Sequence, residues 1–142
     1  MDSKSIVELT HELSSTPNLR VFLSKNKDHF FHVKRFHELL TELFAKSGLT
    51  KAVLAKRSAT SDVYLYQIFS GIRTPSRDRA LCLCFGLSAT LEATQELLQR
   101  SGFAPLYVKN RRDAIIMHAL AHGNTLPEVE DKLFSEKEET LC

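Results

Sequence analysis

Tryptophan is absent, and only five glycines and four prolines interrupt the 142 residues. Such scarcity argues against disorder and against a glycine-rich β architecture, while the many Leu, Ala, Glu and Lys residues favour helices. Cysteine is also sparse. Of the three, Cys82 and Cys84 lie in an apolar run and Cys142 stands far from both, which speaks against a disulfide framework and for a reducing, cytoplasmic setting. No apolar run has the length of a membrane span: the longest, Ala114 to Ala121, is broken by His118, and the first fifteen residues lack the apolar centre of a signal peptide. A large excess of one charge is missing too. The formal net charge of +2 does not by itself require a polyanionic partner.

What is present is enough apolar matter for a core, 43% of the chain, in a length that suits one domain. The expectation is a single all-α domain over 1–142, made of an N-terminal helical extension (1–31), a helical core (32–102) and a C-terminal helical hairpin with an acidic tail (103–142). Ile6, Val7, Leu9 and Leu13 recur at helical spacing, which predicts a helix over 2–14. Thr16 and Pro17 then suit the start of a second helix that breaks near Asn26. Val33, Phe36, Leu39, Leu40, Leu43 and Phe44 form a longer stripe over 32–47, ending at Gly48. Further helices are predicted over 50–57, 61–70, 76–85, 88–101, 111–122 and 125 to about 137, most of them ended by a glycine or proline signal.

Charge is unevenly distributed. From Lys46 to Arg79, seven cations (Lys46, Lys51, Lys56, Arg57, Arg73, Arg77 and Arg79) face two anions, Asp62 and Asp78, whereas Glu128 to Glu139 carries six acids against Lys132 and Lys137. A nucleic-acid face produces this polarity, and so does a solvated helix surface.

The run LTKAVLAKRSATSDVYLYQIFSG, Leu49 to Gly71, reads as two short helices joined by a turn at Ser58-Ala59-Thr60-Ser61, the layout of a helix-turn-helix. Ala55 is small enough for a second helix to cross closely. Ala59 occupies the tight turn position where glycine is commoner, and Ser61 is placed to cap the second helix. Leu54, Leu65, Ile68 and Phe69 supply inward contacts, leaving Asp62, Val63, Tyr64, Tyr66, Gln67 and Ser70 on the outward side.

These residues, with Leu49-Thr50, Gly71 and the following Arg73-Thr74-Pro75-Ser76, resemble the phage-repressor, or XRE, family of helix-turn-helix domains. The likeness covers Leu39 to Leu91. It implies a five-helix repressor-like core whose second motif helix enters the major groove of double-stranded DNA, with Asp62, Val63, Tyr64, Tyr66 and Gln67 facing the bases. A Gln amide can meet adenine bidentately, a Val can touch a thymine methyl, and an Asp can accept from cytosine N4 or serve its helix N-terminus. Lys51, Ser70, Arg73, Arg77 and Arg79 are the expected phosphate contacts. The implied function is a sequence-specific transcription regulator. The alternative is a protein-binding module that keeps the fold and grips its partner through Tyr64, Tyr66 and their neighbours.

No catalytic set is legible: there is no G-x-S-x-G frame and no phosphate-binding glycine loop. His118 and His122 are four apart on a predicted helix but lack a third ligand, and Cys82-x-Cys84 has the wrong spacing for zinc, so neither a metal nor another cofactor is expected. The hairpin bearing Ile115, Ile116, Leu120, Val129, Leu133 and Phe134 has two readings, a cover for the bundle or a homodimer interface.

Overall fold

The computed structural model describes residues 4–30 and 35–142. All regular structure among them is helical: α1 Ile6–Ser15, α2 Leu19–Lys25, a 3-10 turn at Lys27–His29, α3 Phe36–Ser47, α4 Lys51–Arg57, α5 Asp62–Phe69, α6 Arg77–Gly86, α7 Leu91–Arg100, α8 Arg111–Ala121 and α9 Leu126–Ser135. None of these helices is long and apolar enough to cross a membrane. The chain divides into two compact units, Met1–His32 and Val33–Cys142.

In the first unit, polar groups do much of the joining. The side chain of Asn26 is fully buried. Its amide donates to the Glu12 carboxylate at 3.0 Å and to the Phe22 carbonyl at 3.1 Å, and it accepts from Lys4 Nζ at 2.7 Å. Lys4 also pairs with Glu12 at 2.7 Å. Hydrogen bonds from Lys4 and Asn26, reinforced by the charge of Lys25, hold the Glu12 carboxyl at about 2, below its ordinary 4.5. A depressed carboxylate stabilises the fold above its unfolded-state value and ceases to as pH falls through the folded one. A carbon-detected titration should therefore place the Glu12 midpoint near pH 2, with the α1–α2 contacts loosening below 4.5. Asn26→Ala should move the midpoint upward, and an ordinary midpoint in the parent chain would refute the clamp.

Two expectations for the N-terminal region need correction. Thr16 ends α1, and the cap of α2 is Asn18, whose side chain accepts from Val21 N. The expected start of α3 at His32 is also displaced: Arg35, with extended φ −66° and ψ 146°, is its N-cap, and α3 begins at Phe36, while the reading of Phe31 lies outside the described residues.

The second unit is organised around α6. Every residue from Ala80 to Gly86 is buried, the pattern of a helix enclosed on all sides. It packs against α4, α7 and α9, while α3 lies on α5 and α7, and α8 pairs with α9 and touches α7. Side-chain caps fix the helix starts: Thr50, Ser61, Ser76, Thr90, Asn110 and Thr125 each accept a backbone N–H from the following turn. Helix α7 begins at Leu91 because Thr90 is its cap, whereas Ser88, the expected start, has a left-handed φ of 54°.

Helices α8 and α9 cover the bundle, burying Ile116, Ala119, Leu120, Leu126, Val129 and Leu133. Phe134 stays 78% exposed. The acidic segment after α9 is not a free tail. Arg111 pairs with Glu136 and Glu138, Arg112 donates to the carbonyls of Glu139 and Thr140, and the Glu130 carboxylate accepts the backbone N–H groups of Leu141 and Cys142. Leu141 is thereby buried.

Candidate nucleic-acid interface

The candidate surface is built on α4, the turn after it, and α5. Helix α4 ends at Ser58, which is buried, and its hydroxyl donates to the Leu54 carbonyl at 2.7 Å. Ala59 then adopts φ 53°, the left-handed region that an L side chain enters at a cost. Thr60 N donates back to the Ala55 carbonyl at 2.9 Å. Ser61 caps α5 by accepting from Tyr64 N at 3.1 Å. The chain therefore passes within four residues from α4 into α5, and the two helices pack together.

Burial along α5 is sharply divided. Leu65 and Ile68 are 2% and 0% exposed, whereas Val63 and Tyr66 are 68% and 65% exposed. Asp62 is exposed at the first helical position, where its charge suits the helix N-terminus, and Gln67 is half-buried on the same outward flank. Ser70, the C-cap, donates its hydroxyl to the Gln67 carbonyl. Asp62, Val63, Tyr66 and Gln67 thus share one outward surface with Ser70 at its end.

Tyr64 does not belong to that surface. It is half-buried, and its ring carries two guanidinium groups, Arg73 at 5.3 Å and Arg79 at 5.9 Å from the ring centre. Lys51 lies likewise over the Phe69 ring, 4.9 Å from its centre. Each contact holds a flexible cation against α5 without neutralising it. Arg79 is fixed further by a 2.9 Å bond to the Ala59 carbonyl in the turn. Aromatic spacing alone gives no hint of this seating, because Tyr64 meets residues nine and fifteen positions away.

Arg77 departs from the expected phosphate set. Its Nε donates to the Ala104 carbonyl at 2.8 Å, and its terminal nitrogens donate to both oxygens of Asp113 and to the Pro105 carbonyl. The group is committed to holding the 101–110 segment and α8 against α6. Residues two apart on a helix diverge by about 200°, so Arg77 and Arg79 face opposite ways. Asp78 is also engaged, in a two-bond pair with Arg112. That pair raises the Arg112 guanidinium above its ordinary value, mainly through the hydrogen bonds it donates to Asp78.

Two residues absent from the expected set lie close by. Arg35 and His37 line a cavity with Gly71, Arg73 and Thr74. Gly71 has φ 79°, a conformation that favours glycine, and a Cβ there would meet the His37 ring at 2.9 Å and push it aside. Arg35 and His37 precede the motif by 14 and 12 positions, and no local spacing links them to it. His118 and His122 stack, with ring centres 4.0 Å apart. Among the described residues no group of three or more His, Cys, Asp or Glu side chains is arranged to hold a metal ion. No protein-family model, curated protein or solved structure matches the chain.

Proposed function

We propose that the chain is a cytoplasmic, sequence-specific regulator of transcription that lays α5 in the major groove of double-stranded DNA, in the manner of the phage-repressor family it resembles. The observation that carries this reading is the seating of three cations, Lys51, Arg73 and Arg79, on aromatic rings of α5, beside an outward flank of Asp62, Val63, Tyr66 and Gln67. Fixed cations supply phosphate affinity, and the flank between them supplies base contacts. Gln67 is the adenine reader and Val63 the thymine-methyl contact. One such helix reads a half-site, so the working form is a homodimer.

A mobility-shift titration against the DNA upstream of the protein's own gene, repeated at several salt concentrations, tests the reading. Three phosphate contacts per chain give a log–log salt slope of about −3 for each bound chain. Arg73→Ala should weaken every sequence alike and flatten the slope by about 1. Gln67→Ala should cost about 1–3 kcal/mol at the preferred site while leaving random DNA unaffected. No retention of DNA at low salt would sink the proposal. The competing reading, a protein-binding module, draws on the exposed apolar side chains of Val63, Tyr66 and Ile72, and that same negative result would favour it.

A further inference from the structure

The Sγ atoms of Cys82 and Cys142 lie 2.8 Å apart although 60 positions separate the two residues. A disulfide bond is about 2.05 Å long, so closing the gap asks for a movement of less than about 1 Å. The contact is built into the fold. Glu130 accepts both backbone N–H groups of Leu141 and Cys142, at 2.7 and 3.0 Å, Leu141 is buried, and Arg112 holds the Glu139 and Thr140 carbonyls. These anchors seat Cys142 against α6 at Cys82. The two sulfurs also differ in access: Cys142 is exposed and Cys82 is buried. Arg79 Nη1 stands 4.0 Å from the Cys142 sulfur, which puts positive charge beside the thiol that solvent reaches.

We propose that Cys82 and Cys142 are a reversible redox pair, with Cys142 the thiol that meets a peroxide and Cys82 the thiol that resolves it. The Cys142 sulfur attacks one peroxide oxygen and the O–O bond breaks, giving a sulfenic acid and one water. The Cys82 sulfur then attacks the Cys142 sulfur. The S–O bond breaks, the S–S bond forms, and the departing hydroxide leaves as water with the Cys82 proton. Two thiols have lost two electrons and one peroxide has gained them, and a dithiol reductant reverses the change by exchange. Burial, then the neighbouring Cys142, pushes the Cys82 thiol up, consistent with its acting second. Cys84 is excluded as the resolving thiol. It lies two positions along the helix from Cys82, on a side about 200° away, and burial pushes it up to about 12. The pairing does not depend on the DNA-binding proposal.

The test is treatment of the reduced 142-residue chain with a few equivalents of hydrogen peroxide, followed by intact-mass and non-reducing peptide analysis. The expected product is a monomer lighter by about 2 Da, the mass of the two hydrogens lost, in which fragmentation joins Cys142 to Cys82. Dithiothreitol should restore the starting mass, and Cys84→Ala should leave the product unchanged. In Cys82→Ser the link should vanish, and dimedone should trap the sulfenic acid on Cys142. The parent-chain mapping needs no variant to fold. Linkage only between two copies through Cys142, linkage to Cys84, or conversion of Cys142 to the sulfinic acid with Cys82 still free would each overturn the proposal.

Discussion

Replacing Asp113 by alanine should destabilise the second unit by about 3 kcal/mol, the lower end of the range for breaking a buried ion pair. The Asp113 side chain is 10% exposed. It receives both terminal nitrogens of Arg77, at 3.3 and 3.0 Å, and the Tyr107 N–H at 3.0 Å. Removing it leaves a guanidinium whose side chain is only 25% exposed with two carbonyl acceptors and no counter-charge, and strands a backbone donor. The loss is then one of desolvation left uncompensated, and it exceeds what the pair contributes over two apolar groups. Asp113→Asn, which keeps an acceptor but not the charge, should fall between the parent and alanine. Urea unfolding followed by circular dichroism gives the midpoints. A shift worth less than about 1 kcal/mol, the value of an exposed pair, would show that Arg77 relaxes into solvent instead.

The second large effect concerns the contact between α4 and α6. Leu54 is completely buried, and a Cβ on Gly86 would come within 3.0 Å of Leu54 Cδ1 and of Ser58 Cβ, and within 3.1 Å of Ser58 N. Leu54→Ala removes three carbons from a tight crossing and should cost about 2–5 kcal/mol, depending on how far the helices collapse into the gap. Gly86→Ala raises helix propensity by about 1 kcal/mol but crowds a backbone nitrogen, and its net effect should be a loss of about 1 kcal/mol. The two changes share space, so their costs should not add: the added methyl enters volume that the shortened side chain vacates. A double-mutant cycle should show the pair less destabilised than the sum of the singles by about 0.5 kcal/mol or more. Strict additivity would mean that Ser58, and not Leu54, limits the approach.

The helical class and most helix positions were legible because the signals for them are local. Ser61, Ser76 and Thr125 stand one residue before their helices, and each captures an N–H within three residues, so a reader of the chain meets cap and helix together. The errors arose where a residue of capping type stands two positions before the true cap: Thr16 before Asn18, and Ser88 before Thr90. Long-range contacts were not legible at all. Arg77 and Arg79 are the same residue type two positions apart, yet one is claimed by Asp113 on α8 and the other reaches the turn after α4. Tyr64 resembles an outward aromatic until Arg73 and Arg79 are found on it. The acids after α9 read as a solvated tail because Arg111 and Arg112, which hold that segment down, lie some 25 positions earlier. The Cys82–Cys142 approach was hidden for the same reason.

The burial split along α5 bears on how such a surface changes over generations. Leu65 and Ile68 hold the helix in place while Val63 and Tyr66 are largely free of the core, so substitutions at the latter two should mostly stay within about 0.5 kcal/mol of the parent fold. The cations are different, since their aromatic seats lie on the half-buried Tyr64 and Phe69. If α5 reads DNA as we propose, base preference would drift by single exchanges on the outward flank, while phosphate affinity would be inherited with the scaffold. A library randomised at Val63 and Tyr66 would vary that outward surface without first having to solve the folding problem again.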